Sequence, residues 1–180
     1  EIVISETERL TKLTNNLLVI NNVNANGMVL DISDFDICDT IKRTIETFEG
    51  VCAKKKIKFK LVFSEKSLFI TADFSKIQQV LYNLIDNAIK FSNNDSSIII
   101  SATDKNDKVI ISIKDFGIGI PRESLNMIWD RFYKTDKSRT NKESTGLGLP
   151  IVRLILTQHK EDIWAKNAKE GVIFTFTLTK

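Results

Sequence analysis

The pattern of apolar and polar positions predicts alternating helices and strands over most of the chain. Apolar side chains recur at helical spacing through VLYNLIDNAIKFS, residues 80–92, at the end of a long helix that starts near Asp73. Helical spacing also marks residues 39–56, 121–127 and 146–159, whereas alternation predicts a strand at 28–37 and hairpins at 57–63 with 67–72, 97–104 with 108–115, and 162–167 with 171–180. These elements predict an α+β domain whose antiparallel or mixed sheet has helices on one face.

The first 23 residues follow a different pattern. Val3, Leu10, Leu13, Leu17 and Ile20 form an a/d seam with charged residues outside it. A single helix packed on its own domain and one helix of a dimeric bundle fit this spacing equally well. The sequence NVNANG that follows predicts a helix stop and a linker, so we divide the chain into residues 1–27 and 28–180.

Composition narrows the class of protein. The chain has 180 residues, is 42% hydrophobic and carries a net charge of +3 from scattered basic residues, which argues against a dedicated nucleic-acid binder. The densest basic run, residues 54–56, is interpreted as the solvated last turn of a helix. Cys38 and Cys52 do not have the spacing of metal ligands. Two such isolated cysteines are typical of a reduced, cytosolic protein.

The ends and hydropathy of the chain add two expectations. No run approaches the roughly 20 apolar residues of a membrane-spanning helix, and no signal peptide is recognisable. The sequence begins with Glu1 rather than Met, so we expect a piece of a longer protein, with room for a membrane anchor outside it.

Three groups of residues are candidates for chemistry. Asn83 and Asn87 lie four apart, on one face of a helix, although asparagine is a poor helix former. Asp115 ends a strand and is followed by two glycines in DFGIGI, which permits close approach of a ligand to the backbone. TGLGLP, residues 145–150, places two glycines at a helix entry, where N–H groups bind phosphate. Taken singly, DFGIGI is better explained by a β-turn with a capping aspartate, and the glycines of TGLGLP are explained by a tight helix entry.

The order of the motifs is more specific than any one of them. An asparagine-bearing helix, DFGIGI, the aromatic and basic run WDRFYK, a polar loop at 134–145 and then GLGL follow one another. In this order they resemble the ATP-binding domain of bacterial sensor histidine kinases, in the superfamily shared by gyrase, MutL and heat-shock chaperone ATPases. The resemblance covers residues 28–180 and implies a two-layer α/β sandwich, the Bergerat or GHKL fold. Residues 1–23 resemble the second helix of the family's dimerisation and phosphoacceptor hairpin, which gives the domain an N-terminal helix.

The resemblance implies a metal and phosphate site on the asparagine helix. Asn87 matches the residue that holds Mg²⁺, Asn83 the one that supports the metal or its water, and Lys90 the lysine that approaches a phosphate. Oxygen ligands and several retained waters are what Mg²⁺ prefers.

The resemblance also implies the rest of an ATP site. Asp115 matches the adenine-reading acid, and Gly117 and Gly119 the turn that makes room for the base. The remaining matches are Ile120 near the ring, Phe132 and Tyr133 as an aromatic box with Arg131 and Lys134 meeting phosphate charge, and Thr145, Gly146, Leu147, Gly148 and Leu149 around the phosphates. The polar loop at 134–145 matches the nucleotide lid.

Some positions depart from the family pattern. Phe91 stands where tyrosine is frequent, and Glu143 and Ser144 stand where relatives carry lid glycines, which predicts a lid that is stiffer at its hinge. His159 is the only histidine and is interpreted as structural, with an altered cap at 159–161.

By resemblance, the expected activity is a protein-histidine kinase of a two-component system. The γ-phosphoryl of ATP would pass to a histidine on the first hairpin helix, which this sequence lacks, and then to an aspartate of a response-regulator receiver domain. The intact protein would be a homodimer through its hairpin, and this part would be the cytoplasmic portion of a membrane-anchored sensor.

Three alternatives remain open at this point. ATP-hydrolysing relatives usually carry a glutamate, the base for water, where this chain has Asn83, and an amide cannot accept a proton as a carboxylate does. A nucleotide-sensing or partner-binding module without catalysis would be expected to have lost Asn87, Asp115, Gly146 or Gly148. A serine kinase that regulates a sigma factor would not need the heptad helix.

Overall fold

The computed structural model describes Thr14, residues 29–135 and residues 145–180. The strands are β1 (Ile32–Asp36), β2 (Lys58–Phe63), β3 (Phe69–Asp73), β4 (Ser97–Lys105), β5 (Lys108–Lys114), β6 (Ile163–Asn167) and β7 (Val172–Thr179). The helices are α1 (Ile37–Glu46), α2 (Glu49–Lys55), α3 (Phe74–Phe91) and α4 (Gly148–Gln158), with two 3₁₀ turns at Arg122–Ser124 and Met127–Trp129.

The strands form two sheets. The larger sheet has the order β2-β4-β5-β7-β6, in which only β2 and β4 pair in parallel, and β1 pairs with β3 in a separate antiparallel ribbon. Alternate residues of β4 and β5 are buried in one core with the apolar faces of α1, α3 and α4. The mixed sheet covered by helices is the predicted α+β class and the two-layer α/β sandwich of the GHKL fold.

Helix α3 is the central element of the core. Its N-cap is Asp73, as predicted, and the carboxylate accepts a hydrogen bond from the Lys76 N–H at 3.1 Å, a contact that contributes on the order of 1 kcal/mol. Its apolar stripe is fully buried at Ile77, Val80, Leu81, Leu84 and Ile85. The two predicted hairpins that follow, β4–β5 and β6–β7, are confirmed.

The hairpin predicted for residues 57–63 and 67–72 is wrong. β2 pairs with β4 and β3 pairs with β1, so the chain crosses between sheets after Phe63. Asp36 explains the outcome, because its Oδ1 accepts both the Cys38 N–H that starts α1 and the Leu68 N–H that precedes β3. This carboxylate holds β3 beside β1.

Two helix predictions also need correction. The helix predicted at 39–56 is two helices, because the chain turns at Phe48, whose buried ring packs on Tyr82 of α3 at a centroid distance of 4.8 Å. The helix predicted from Pro121 to Met127 is replaced by the two 3₁₀ turns, which bury both Ser124 and Ile128.

The predicted heptad helix and linker, residues 1–27, lie outside the described residues apart from Thr14. Within the described ranges, none of the helices combines the length and apolarity that crossing a bilayer requires.

Candidate functional site

A cleft opens between α3, the turn after β5 and the N-terminus of α4. Of the residues predicted from sequence, it is lined by Asn83, Asn87, Lys90, Asp115, Gly119, Ile120, Tyr133, Lys134, Thr145, Gly146, Gly148 and Leu149. Gly117, Phe132 and Leu147 do not line it. Residues up to 66 positions apart in sequence therefore meet on one surface.

The asparagine face of α3 forms one wall of the cleft. Asn83 is only 6% exposed, and its Nδ2 has no hydrogen-bond partner among the described residues. Asn87 is half-buried one turn further on. A buried amide without a partner costs roughly 1–3 kcal/mol, so the pair is suited to a ligand with oxygen atoms or bound waters. Both residues line the cleft, and amide oxygens are ligands that suit Mg²⁺, which keeps several waters.

Lys90 lies at the same wall and is bound to its neighbour Asp86. Its Nζ is 2.7 Å from Asp86 Oδ2, and both side chains are 19% exposed. Asp86, to which the sequence assigned no role, also lines the cleft. A phosphate that approaches Lys90 would therefore share the ammonium group with this carboxylate.

Asp115 lies at the other end of the cleft, at the end of β5. It is 3% exposed, and its Oδ1 accepts hydrogen bonds from the Gly117 N–H at 2.9 Å and the Val172 N–H at 3.2 Å. Burial raises the pKa of the carboxyl above its usual range, and the two backbone donors oppose that shift. No donor among the described residues reaches Oδ2, so this oxygen can accept a hydrogen bond from a ligand.

Two glycines permit the close backbone contacts around Asp115. A Cβ on Gly117 would lie 2.0 Å from the Phe91 carbonyl oxygen, at the bridge that joins the end of α3 to this turn. A Cβ on Gly171 would lie 2.1 Å from the Asp115 carbonyl oxygen. Gly117 was singled out from sequence for backbone approach to a ligand, whereas its close contact is with α3. The contact of Gly171 with Asp115 was not predicted, because a glycine between two strands indicates no more than a turn.

The glycine motif at 145–150 forms the third wall. Gly148 opens α4, and no side chain of the described residues caps this helix, so its first N–H groups are available to bind an anion. The Thr145 hydroxyl accepts a hydrogen bond from the Leu147 N–H at 3.4 Å. The Leu147 side chain is fully buried in the core and does not line the cleft.

Tyr133 and Phe132, which were predicted to form an aromatic box, do not both line the cleft. Tyr133 lines the cleft, and its hydroxyl donates to Ser124 Oγ at 2.9 Å. The Phe132 ring is 59% exposed and lies outside the cleft, while its N–H donates to the Gly146 carbonyl. Residues 136–144 of the predicted lid, including Glu143 and Ser144, lie outside the described residues.

Several lining residues were not predicted as site residues from the sequence. They are apolar or small side chains from separate elements: Phe91, Ile118, Ile128, Thr135, Pro150, Val172 and Phe174. Val172 and Phe174 lie in β7, which pairs with β5. Predicting that they line the cleft would have required the order of the strands in the sheet.

His159 has a structural role, as interpreted from the sequence. Its Nε2 accepts the Asp73 N–H at 3.1 Å, and its Nδ1 contacts the Ile155 carbonyl at 2.8 Å. It therefore joins the end of α4 to the start of α3, away from the cleft lining.

Comparisons with known proteins agree with this geometry. The family model described as "Histidine kinase-, DNA gyrase B-, and HSP90-like ATPase" matches residues 72–180. Sensor histidine kinase WalK of Bacillus subtilis (strain 168) is 34% identical over 178 residues, which cover 97% of this chain and 29% of WalK. Sensor protein SrrB of Staphylococcus aureus (strain NCTC 8325 / PS 47) is 32% identical over 191 residues, 99% of this chain and 31% of SrrB. The chain thus spans about a third of the length of these curated relatives.

Solved structures are similar in the same region. A nucleotide-free catalytic domain of histidine kinase ThkA superposes with a TM-score of 0.77 at 32% identity, over 84% of this chain and 97% of that domain. ThkA in complex with the response regulator protein TrrA gives a TM-score of 0.80 at 30% identity, over 97% of this chain and 49% of that ThkA chain.

Proposed function

Because this chain belongs to the histidine kinase-, DNA gyrase B- and HSP90-like ATPases and is a histidine kinase catalytic domain by its similarity to ThkA, we propose that it binds ATP with Mg²⁺ and donates the γ-phosphoryl to a histidine. One observation carries the proposal. A single cleft has a buried carboxylate at one end, and an unpaired asparagine amide beside an uncapped helix N-terminus at the other. That spacing of polar groups suits a base at one end and phosphates at the other.

The base would lie against Asp115. Oδ2 accepts a hydrogen bond from an exocyclic amine, since Oδ1 is already bound to two backbone N–H groups. The apolar side chains of Ile120, Ile128 and Phe174 line the same cleft and favour burial of a planar ring.

The phosphates would lie between α3 and the N-terminus of α4. Asn87 would contribute its amide oxygen to Mg²⁺, and Asn83 would bind the metal's water or a phosphate oxygen with the amide that lacks a partner. When bound, Mg²⁺ supplies neutralisation of phosphate charge. The first N–H groups of α4, together with Lys90 and Lys134, would bind the remaining oxygens.

Catalysis by such a site is positioning together with charge neutralisation. The nucleophile would be a histidine on the dimerisation hairpin of the intact protein, whose first helix is outside this sequence, and the phosphoryl group would pass on to a response-regulator aspartate. The complex of ThkA with the response regulator TrrA supports a partner of that class. The intact protein would act as a homodimer and would be a membrane-anchored sensor with this domain in its cytoplasmic part. Similarity to a protein named as a sensor, SrrB, supports the sensor role.

Asn83 favours phosphoryl transfer over ATP hydrolysis. An amide cannot take a proton from an attacking water, whereas a carboxylate at this place would. Among the described residues that line the cleft, the carboxylates are Asp86, which pairs with Lys90, and Asp115, which is at the base end. We therefore expect slow hydrolysis without an acceptor.

Calorimetry with a non-hydrolysable ATP analogue tests the binding site. The parent chain should bind in the presence of Mg²⁺, Asp115→Asn should lose most of the affinity because a donor replaces the acceptor oxygen, and Asn87→Ala should lose the Mg²⁺-dependent part. Asp107→Asn and Asn94→Ala change exposed residues of the same types outside the cleft and should bind as the parent does.

Two results would contradict the proposal. An absence of binding by the parent would remove the nucleotide site, and equal Mg²⁺-dependent affinity in Asn87→Ala would remove Asn87 from the metal. Transfer of phosphate to an isolated hairpin of a histidine kinase, added in trans, then tests the reaction itself.

A further inference from the structure

Asn167 binds both backbone polar groups of one residue in the turn that lines the cleft. It is the last residue of β6, and its side-chain amide faces Ile120, 47 positions earlier in sequence. Its Oδ1 accepts the Ile120 N–H at 2.9 Å, and its Nδ2 donates to the Ile120 carbonyl at 2.5 Å. Two hydrogen bonds from one planar amide fix the position and the orientation of the Ile120 backbone.

Asn167 does not itself line the cleft, whereas Ile120 and Gly119 do. Its effect on a ligand must therefore pass through the turn. The connection from β6 to β7 also holds the other side of the same region, because the Val172 N–H donates to Asp115 Oδ1 and Gly171 allows contact with the Asp115 backbone. One hairpin connection thus fixes both the buried carboxylate and the wall beside it.

The amide also removes the peptide of Ile120 from competition for a ligand. With its N–H and C=O both bound to Asn167, this residue presents only its side chain to the cleft. Asp115 Oδ2 is then available as an acceptor for the edge of a base at this end of the cleft.

We propose that Asn167 is a positioning residue that sets the selectivity of the cleft for adenine over guanine. The proposal rests on the nucleotide binding proposed above. Adenine presents an exocyclic amine, a donor, where guanine presents the O6 acceptor. A carboxylate oxygen at that point binds the first and repels the second.

Selectivity requires that the base cannot shift. If the turn moves, guanine can slide until its own N–H groups face Asp115, and a freed Ile120 N–H can donate to O6. Loss of the Asn167 amide therefore weakens adenine binding. It also reduces the free-energy penalty for binding guanine, because the freed backbone groups of Ile120 can form hydrogen bonds with that base.

The test is a ratio of dissociation constants for ADP and GDP, measured by calorimetry on the parent, Asn167→Ala and Asn167→Asp. We expect the parent to prefer ADP and the preference to fall about tenfold in Asn167→Ala, the size expected from two lost hydrogen bonds. Asn167→Asp keeps an acceptor for the Ile120 N–H but places an oxygen against its carbonyl, so its ratio should lie between the other two.

Ser112→Ala is the matched control. It removes a hydrogen bond between β5 and β7, to Thr175 at 3.0 Å, at residues that do not line the cleft. Ser112→Ala should lose some stability in thermal unfolding and keep the parent ratio, so a change of ratio in the Asn167 variants cannot come from general destabilisation.

The possible results separate the two proposals. A parent that prefers ADP, with the same ratio in both Asn167 variants, overturns the role of Asn167 and leaves the nucleotide site intact. A parent that binds neither nucleotide overturns the nucleotide site and this inference with it. If Asn167→Ala does not fold, an unchanged ratio in a folded Asn167→Asp overturns the inference.

Discussion

At the scale of single residues, the cleft contains a buried polar group that none of the described residues satisfies. Asn83 is buried on the core helix α3, and its Nδ2 lacks a partner among the described residues. Buried polar groups in folded proteins are nearly always hydrogen-bonded. An exception that faces a cleft is best explained by a ligand that completes it, at a cost to the empty protein.

Asn83→Ala should therefore have opposite effects on stability and on binding. Without nucleotide, the variant should be as stable as the parent or more stable by up to about 1 kcal/mol, because an unsatisfied amide is removed. Its affinity for a Mg²⁺-bound ATP analogue should fall about tenfold. Urea unfolding and calorimetry measure the two quantities. A clear loss of stability in the empty protein would mean that the amide already has a partner there.

The residues that sequence alone identified are those whose type is unusual for their place. Two asparagines on a helix face and an aspartate before two glycines stand out without a structure, and the cleft contains Asn83, Asn87 and Asp115. Asn167 and Gly171 were missed, since an asparagine and a glycine around a hairpin turn are ordinary there. Their contacts depend on which strands are neighbours.

At the scale of elements, the end of α3 is held by a side chain from another helix. Lys55, the last residue of α2, donates from Nζ to the carbonyls of Ile89 at 2.7 Å and Lys90 at 3.3 Å. The basic run at 54–56 was interpreted as solvated, and for Lys55 this was wrong. Its charge complements the C-terminus of α3 instead, the turn that carries Lys90.

Lys55→Met should loosen the last turn of α3. The substitution keeps an unbranched side chain and removes the ammonium, so we expect a loss of about 1–2 kcal/mol of stability. Amide hydrogen exchange should become faster in the last turn of the helix. Lys54→Met, at the exposed neighbouring position, is the control and should leave both quantities unchanged. Equal exchange rates in the two variants would show that α3 does not depend on this contact.

Elements were predictable where their pairing is local. The β4–β5 and β6–β7 hairpins and the span of α3 follow from periodicity and from turn or cap residues. The partners of β2 and β3 were not predictable from the sequence. A short polar segment between two alternating strands fits both a hairpin and a crossover to another sheet. Asp36 contributes to the observed pairing through its contact with Leu68, which spans 32 residues.

At the scale of the whole domain, one buried carboxylate joins the end of α4 to the sheet. Glu161 is nearly inaccessible and accepts hydrogen bonds from Lys108 of β5 at 2.7 Å and from Thr177 and Thr179 of β7 at 2.5 and 2.6 Å. Lys160 takes the left-handed conformation that ends the helix and directs Glu161 inward. The segment after α4, interpreted from sequence as an altered cap, therefore also fixes the helix on the sheet.

Glu161 should make the stability of the domain depend on pH on the acid side. Burial opposes its ionisation, but the hydrogen bonds from Lys108, Thr177 and Thr179 outweigh burial and hold the pKa of the carboxyl below its ordinary value of 4.5. The folded chain then binds fewer protons at this group than the unfolded chain does. Its contribution is complete above pH 4.5 and is lost as the pH falls through the lowered pKa.

Glu161→Gln should cost about 1–3 kcal/mol at pH 7, because the charge-assisted contacts are lost. Its stability should then fall less steeply than that of the parent between pH 5 and pH 3, roughly the window that this linkage affects. Urea midpoints across that range measure the difference, with Glu46→Gln, at an exposed position, as the control. If the parent and Glu161→Gln curves stay parallel down to low pH, the acid dependence arises elsewhere. Curves that converge would place it in the contact that fixes α4 on the sheet.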